Sequence, residues 1–244
     1  MNSNKLKHNS FPQPADDTIK VWRFIDLSKL IDLLSKKQLF LSRLDLLGDS
    51  HEGSITERNY TERNLVYKEN GLENIIPAVV ESTISILQRS YISCWYLGNH
   101  ESEAMWKLYC PDNKGVSIQT NYNTLVNSTS EDESLYIGKV TYIDYASESF
   151  RNNNIFNPIM HKRIAFQHES EVRLVKLDSD KILDKSIPIN TGIYHPWDVN
   201  KFAENIYVNP YAPEWYYEVI KEILNKYDCT VPLKWSNMRK EPLF

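Results

Sequence analysis

Glycine and cysteine are scarce in this chain, and neither positive nor negative charge dominates. Its 244 residues include 7 glycines and 3 cysteines, with 28 Lys and Arg against 32 Asp and Glu. No two glycines are separated by a single residue, which excludes the G-x-G-x-x-G dinucleotide fingerprint. Ser54 stands where a P-loop would place its lysine, and no H-E-x-x-H is present. Walker-type ATP chemistry and standard zincin chemistry are therefore excluded.

The cellular setting follows from the same scarcity. Cys94, Cys110 and Cys229 are too scattered for a disulfide framework or a four-cysteine zinc site, and they suit a reducing cytoplasm. The net charge of -4 argues against a general basic coat for nucleic acid, although a local basic patch remains open. No run of about 18 apolar residues occurs, so we predict a cytoplasmic protein with no membrane helix.

Strands and helices mix along the chain without regular alternation. This pattern predicts an α+β fold, a single mixed domain over residues 18–244 around a central, largely antiparallel sheet. Residues 1–17 are polar and contain proline, so we expect a flexible N-terminal tail. Apolar runs predict strands at 21–25, 39–41, 91–96, 116–119, 135–145, 172–177 and 206–208. Helical spacing predicts helices at 27–34, 75–87, 101–109, 121–125, 158–166 and 213–227, with Asp26 and Asn121 as N-caps.

The densest group of polar residues lies directly before an apolar strand. Alternation along that strand would put Glu169, Glu171 and Arg173 on one face, with Val172 and Leu174 on the other. Like charges two residues apart on one face are costly without a partner, so the cluster is a candidate site. The competing interpretation is a solvated charged loop. The full group is His161, Lys162, Arg163, Phe166, His168, Glu169, Glu171 and Arg173.

Two smaller groups also carry chemistry. Arg23 lies between two aromatic residues on a predicted strand, where it is either an edge residue or a clamp for an anion such as phosphate. Glu101 and Tyr109 share one face of a predicted helix. That face is either ordinary core packing or a carboxylate below an aromatic wall. The residues of this second group are Ser93, Trp95, Glu101, Met105, Trp106 and Tyr109.

From about Val21 to its end the chain resembles a widespread bacterial domain-of-unknown-function family that is related to AbiGi-type abortive-infection proteins. This resemblance implies a phage-defence setting and does not by itself supply an activity. The segments that carry it include Val21-Trp22-Arg23-Phe24, Leu47-Gly48-Asp49, Ser93-Cys94-Trp95, Ala104-Met105-Trp106-Lys107-Leu108-Tyr109, Gly115-Val116-Ser117-Ile118-Gln119-Thr120, Tyr142-Ile143-Asp144-Tyr145, His161-Lys162-Arg163, Phe166 with His168-Glu169, and Ile206-Tyr207-Val208.

A second resemblance concerns chemistry. Arg23, Ser93 and the Glu169-Ser170-Glu171 segment occur in the chain order that is similar to ADP-ribosyltransferases, including their Glu-x-Glu pair. It implies that Arg23 holds the phosphates or ribose of NAD and that Ser93 orients the nicotinamide side. Glu171 would bond the ribose 2′-hydroxyl and stabilise an oxocarbenium-like transition state, and Glu169 would position the acceptor.

The resemblance makes NAD the expected substrate and leaves the acceptor unspecified. Trp95 or Tyr96 would stack on nicotinamide. The residues expected around the bound nucleotide are Trp22, Trp95, Tyr96, Glu101, Trp106, Tyr109, His161, Lys162, Arg163, His168 and Arg173.

Three functional hypotheses result. The first is a toxin or phage-defence effector that cleaves NAD and transfers ADP-ribose to a macromolecule, or hydrolyses NAD. The second is a nucleic-acid binder or metal-dependent nuclease, in which carboxylates hold Mg²⁺. The third is a non-catalytic ligand sensor or interaction module. The carboxylates of the nuclease hypothesis are Asp45, Asp49, Glu52 and Glu101.

Overall fold

A nine-stranded sheet forms the centre of the structure, a computed structural model that describes residues 8–151, 154–178 and 189–242. Seven of its strand pairings are antiparallel and one is parallel, which confirms the predicted α+β class. The strands are β1 (Lys20–Asp26), β2 (Gln38–Arg43), β3 (Ser90–Leu97), β4 (Gly115–Asn121), β5 (Leu135–Lys139), β8 (Glu171–Leu177), β9 (Gly192–Pro196), β10 (Asn205–Val208) and β11 (Leu233–Trp235), while β6 (Thr141–Ile143) and β7 (His161–Arg163) form a separate parallel pair.

Two of the helices begin at the N-cap residues that the sequence predicts. The Asp26 carboxylate accepts from Lys29 N at 2.9 Å, and the Asn121 side chain accepts from Thr124 N at 2.8 Å. Each cap satisfies a donor that the first helical turn leaves free. The helices are α1 (Leu27–Lys36), α2 (Glu57–Glu69), α3 (Ile76–Gln88), α4 (Glu103–Tyr109), α5 (Tyr122–Asn127), α6 (Asn157–Met160), α7 (Val199–Phe202) and α8 (Glu214–Lys226).

One edge of strand β3 pairs with two different neighbouring strands. β1 pairs with its C-terminal end at Tyr96 and Leu97, whereas β2 pairs with its N-terminal end at Tyr91 and Ile92. Between these contacts β1 turns away to pair along β4, and α1 connects the end of β1 to the start of β2. The result is a wedge-shaped opening in the sheet, with the middle of β3 at its apex. We call this opening the wedge.

The two faces of the sheet carry different cores. On β3 and β8 the side chains of Trp95, Val172 and Leu174 belong to the main core, which α1, α5 and α8 cover. The alternate residues, including Ile92 and Val175, face a second core. Because successive strand residues point to opposite faces, Ser93 lies with the main core and the side chains of Glu171 and Arg173 lie on the other face.

The N-terminal segment differs from the expected tail. Residues 1–7 lie outside the described part of the chain, but Phe11 is 1% exposed and stacks on Tyr136 with ring centroids 5.2 Å apart. A side chain at Gly138 would collide with the Phe11 backbone, so this glycine permits the close approach. Residues 8–13 therefore pack on the sheet, because an aromatic anchor outweighs their polar composition.

Other differences arise where pairing is distant in sequence. The helix predicted at 158–166 is wrong beyond Met160: the chain continues as β7, which pairs with β6, and then as a 3₁₀ turn at Ile164–Glu169. The single strand expected at 135–145 divides into β5 and β6. The short strands β9 and β11 were not predicted, since three to five residues carry little periodicity of their own.

Candidate functional site

The apex of the wedge is occupied by the side chain of Arg23. Its guanidinium donates from Nη1 to Ser93 Oγ and from Nη2 to the carbonyl oxygen of Phe40 at 3.2 Å, and it lies 5.8 Å from the centre of the Trp95 ring. One arginine thus bridges β1, β3 and β2 where the strands separate. Within residues 8–151, 154–178 and 189–242 no carboxylate forms an ion pair with it. Burial lowers the pKa of Arg23.

An open pocket of about 490 Å³ fills the wedge beside this guanidinium. Its volume lies in the range of small-molecule sites, about 300–1,000 Å³. Helix α1 forms one wall and β2 the other. The polar and aromatic side chains that line it include Arg23, Ser93, Cys94, Tyr109, Gln38 and Tyr194.

A buried network of charges lies on the opposite face. Arg173 is 0% exposed; its Nε donates to Glu171 Oε1 at 2.7 Å and its Nη2 lies 2.9 Å from Glu52. Lys162 Nζ lies 2.7 Å from Glu169, 3.1 Å from Glu52 and 3.5 Å from Glu171. We call these five residues the charge network.

The charge network holds three carboxylates against two cations. Burial alone would raise the pKa of Glu171, but the charges of Arg173 and Lys162 hold it below its usual value. Burial alone would lower the pKa of Lys162, yet its three glutamate neighbours raise it. The ion pairs therefore keep Glu171 and Lys162 charged at neutral pH, and the carboxylates of the network exceed its cations by one.

The backbone just before Glu171 is also constrained. Ser170 adopts a left-handed conformation with φ of 39°, which is uncommon for a residue other than glycine. It donates its hydroxyl to Leu97 O at 2.9 Å, and Glu171 N donates to the Tyr142 hydroxyl at 2.9 Å. These contacts fix the strand entry that places the Glu-x-Glu pair.

Tyr109 and Cys94 separate the two halves of the site. Both residues line the open pocket and also a much smaller cavity, about 20 Å³, that reaches Glu169 and Glu171. The Cys94 thiol lies against the Glu171 carboxylate, and burial raises its pKa well above the usual value. Burial and then the nearby Cys94, Glu169 and Glu171 raise the pKa of Tyr109. Arg23 in the open pocket and the glutamate pair at the small cavity are thus separated by Tyr109 and Cys94.

The predicted aromatic residues mostly form core instead of pocket surface. Trp95 is 1% exposed, packs on Trp197 and donates to Ser93 Oγ at 3.1 Å, so it has no free face for a nicotinamide ring. Trp22 and Trp106 are buried in a third core. Glu101 accepts from Trp106 Nε1 at 3.0 Å and from Asn237 N at 2.8 Å, which makes it a structural anchor. Tyr96 and Tyr109 are less than fully buried and line the small cavity beside Glu169 and Glu171.

The basic residues before the strand divide between different roles. Lys162 joins the charge network, whereas Arg163 lies 2.6 Å from Asp49 and partly over Phe166. His161 stacks on Phe150 with ring centroids 4.6 Å apart. His168 is exposed on the 3₁₀ turn. His161, Arg163 and His168 therefore do not line the wedge pocket.

The four carboxylates of the nuclease hypothesis do not converge. Asp45 pairs with Arg43 and Asp49 with Arg163, whereas Glu52 belongs to the charge network and Glu101 anchors Trp106. Across residues 8–151, 154–178 and 189–242 no group of three or more His, Cys, Asp or Glu side chains is placed to hold a metal ion. No local sequence signal announces the role of Glu52, because its partner Arg173 lies 121 residues away.

A family model without an assigned activity matches the middle of the chain. Residues 105–174, which include Tyr109, Lys162 and the Glu169–Glu171 pair, match the model of a protein of unknown function (DUF2971). No curated protein matches the chain. In the part of the chain that the structure describes, no helix is long and apolar enough to cross a bilayer.

Two solved structures are similar over most of the chain. Both are DarT from Thermus sp. 2.9, one in complex with NAD+ and one with ADP-ribosylated ssDNA, and each aligns with a TM-score of 0.43 at 8% identity. The alignments cover 94% and 93% of this chain and 100% and 97% of the DarT chains. A TM-score of this size is too low to support a shared function, so any role assigned to a residue of this chain rests on that residue's own contacts.

Proposed function

We propose that the protein is an NAD-consuming enzyme of ADP-ribosyltransferase type, which binds the pyrophosphate of NAD at Arg23. The observation that carries this proposal is the enclosed Arg23 guanidinium, which lines an open pocket and has no ion-pair partner in the described part of the chain. A charge in such a place is costly unless a counter-charge completes it. Guanidinium is also the side chain that best matches phosphate geometry.

The second part of the proposal is chemical. With the pyrophosphate at Arg23 and Ser93, the nicotinamide riboside half extends past Tyr109 toward Glu169 and Glu171. The bond from C1′ of the ribose to the nicotinamide nitrogen breaks, nicotinamide leaves neutral with the electron pair, and the positive charge passes to the ribose. Water or an acceptor then adds at C1′ and loses a proton.

The carboxylates suit that developing charge. The charge network carries one more carboxylate than cation, and it is fixed by ion pairs before substrate arrives. Preorganised negative charge stabilises a cationic transition state without further rearrangement. Glu171 would face the ribose, and Glu169, which has Lys162 as its ion-pair partner, would position the acceptor. Because the cavity at these carboxylates has room for about one water, substrate binding must displace the Tyr109 ring.

A second candidate is a nucleotide sensor without turnover. It is favoured by one observation: the Glu171 side chain is 3% exposed and already ion-paired to both Arg173 and Lys162. A sensor would use Arg23 in the same way and leave Glu171 purely structural. The basic residues give the nucleic-acid hypothesis less support, because Lys162 and Arg173 are buried and paired.

The test is nicotinamide release from NAD by purified protein, with and without cell lysate as a source of acceptors. We expect release by the wild type, and a fall of about 100-fold or more in Glu171→Gln and in Arg23→Gln. Glu218→Gln and Arg58→Gln change exposed side chains and serve as matched controls. Binding of ADP-ribose without release in any condition would favour the sensor. No binding by folded protein would remove both proposals.

The wider setting remains a prediction. Growth arrest on expression that disappears in Glu171→Gln, together with loss of cellular NAD, would agree with a toxin or phage-defence effector. Growth arrest that persists in this variant would separate any toxicity from the NAD chemistry.

A further inference from the structure

The outer end of the wedge has a chemistry of its own. Gln38 and Phe40 alternate with buried residues on β2, so both side chains point into the pocket. Tyr194 lies opposite Phe40 in the register of β9, and the two rings meet edge to face at 5.2 Å. Tyr194 is 40% exposed and lines the pocket.

These aromatic rings are held in place. Lys36 donates to the Tyr194 hydroxyl and lies over its ring, and the same hydroxyl donates to Asp32 at 3.3 Å. A side chain at Gly192 would collide with the Phe40 ring, so the glycine leaves the space that this ring fills. Tyr194 is therefore a fixed, partly exposed aromatic ring of the kind on which a planar base stacks.

Gln38 supplies the polar group beside that surface. No hydrogen bond to its amide occurs within the described residues, and the side chain lines the pocket. An amide offers one acceptor and one donor in a single plane. On its N7 edge adenine presents the complementary pair, the N6 amino donor beside the N7 acceptor, whereas the same edge of a 6-oxo purine presents two acceptors.

The direction of the nucleotide follows from Arg23, and this step rests on the proposed function. Arg23 reaches the carbonyl oxygen of Phe40, so the anion position and the aromatic pair are joined through one residue. The glutamate pair lies on the other side of Arg23, behind Tyr109. A dinucleotide with its pyrophosphate at Arg23 and its reacting ribose at Glu171 must place its second base at the outer end of the wedge.

We propose that the outer end of the wedge is an adenine-recognition site, in which the base stacks on Tyr194 beside Phe40 and Gln38 reads its N6 and N7 atoms. The ligand class of the pocket is then an adenine nucleotide with a diphosphate. Guanosine and inosine nucleotides fit the phosphate position equally well, but the two acceptors of their N7 edge do not match the Gln38 amide.

Binding of ADP and of IDP, measured by calorimetry, tests the base recognition without any turnover. IDP differs by a carbonyl oxygen in place of the N6 amino group and by the proton at N1. We expect the wild type to bind ADP about 10-fold or more tightly than IDP, because a bidentate amide contact discriminates by about 1–3 kcal/mol. Gln38→Leu should bring ADP down to the level of IDP. Gln88→Leu, at the end of α3 and outside the pocket, is the matched control.

The stacking surface is tested by a pair of variants at one position. Tyr194→Ala should weaken ADP and IDP alike, by about 5-fold or more, because stacking is indifferent to the amino group. Tyr194→Phe keeps the ring and should retain most of the affinity. Circular dichroism and thermal unfolding confirm that each variant is folded.

The outcomes separate this inference from NAD cleavage. Selective ADP binding in a protein that releases no nicotinamide would support the adenine site and remove the enzyme. NAD turnover that is unchanged in Gln38→Leu and equal for the hypoxanthine analogue of NAD would support the enzyme and overturn the adenine site. Inorganic pyrophosphate that binds as tightly as ADP would also overturn it, since the base would then contribute nothing.

Discussion

Arg23 on β1 and Arg173 on β8 lie on opposite faces of the sheet and in opposite electrostatic situations. Arg173 is completely buried and has carboxylates on two sides, whereas Arg23 lines an open pocket and donates only to a hydroxyl and a carbonyl oxygen within the described part of the chain. An arginine whose charge is already balanced holds the fold together. An arginine without an ion-pair partner is available for an anionic ligand, which is the role proposed for Arg23.

The same contrast distinguishes the charge network from the wedge. The charge network is complete before any ligand arrives, so it acts as a rigid wall with fixed charge. The wedge, in contrast, has no carboxylate paired with Arg23 among the described residues, and in our proposal the anionic ligand supplies that charge. Stability and binding should therefore respond to different substitutions.

The largest expected effect is on stability. Arg173→Met removes the central cation of the charge network and leaves Glu52 and Glu171 buried with Lys162 as their remaining cation. Breaking a buried ion pair in this way costs about 3–5 kcal/mol. Urea unfolding should show this loss, and expression at 37 °C should fall. Arg58→Met, which breaks an exposed pair on α2, should change stability by less than about 0.5 kcal/mol.

Arg23→Met should give the reverse profile. It removes two hydrogen bonds but also an enclosed charge, so we expect the free energy of unfolding to change by no more than about 1 kcal/mol. Binding of ADP-ribose should weaken about 100-fold or more, because the cation that bridges the apex of the pocket is gone. If Arg23→Met destabilised the protein as much as Arg173→Met, Arg23 would be a structural residue and the contrast would fail.

Much of the fold could be predicted because its strongest elements are local. β1, α1, β3, β4 and α8 carry clear periodicity, and the caps at Asp26 and Asn121 are local as well. β7 could not be predicted, since its three residues are extended only because they pair with β6. The packing of Phe11 is of the same kind, because the partner that holds it lies more than a hundred residues away.

The candidate site shows the same difference between local features, which could be predicted, and distant contacts, which could not. The opposite faces of Glu171 and Val172 follow from strand alternation, and the structure confirms them. Glu169 lies instead in the preceding 3₁₀ turn and reaches the network through Lys162. The contribution of Glu52 was not predictable, and neither was the separation of β1 from β2 that makes the wedge. Both depend on how distant strands pair, and no spacing within the sequence encodes that.

The dependence of stability on pH sharpens the comparison further. Burial opposes ionisation of Glu171, but Arg173 and Lys162 lower its pKa below the usual value. Its contribution is therefore full above an unfolded pKa of about 4.3 and is lost as the pH falls through the lower folded value. Unfolding measured from pH 7 to pH 3 should show the advantage of the wild type over Glu171→Gln shrinking below about pH 4.

Lys162 governs the alkaline side of the pH profile of stability. Its folded pKa is raised, so its contribution to stability is present below an unfolded pKa of about 10.4 and is lost only as the pH rises through the folded value.

The Glu171→Gln comparison can also contradict the ion pairs. If the wild type kept the same stability advantage over Glu171→Gln down to pH 3, the Glu171 carboxylate would not be ion-paired in solution.

The smallest effect concerns His161, which lies beyond the charge network. Burial lowers its pKa, with its hydrogen bond to the Asn157 carbonyl acting in the other direction, so the folded protein favours the neutral ring. Its contribution is present above about pH 6.5 and is lost as the pH falls, because the unfolded chain takes up the proton first. His161→Gln should flatten the stability profile between pH 7 and pH 5, whereas the exposed His168→Gln should not. ADP-ribose affinity should be unchanged in both variants, since neither side chain lines the wedge. A parallel loss of affinity would extend the binding site across the sheet to His161.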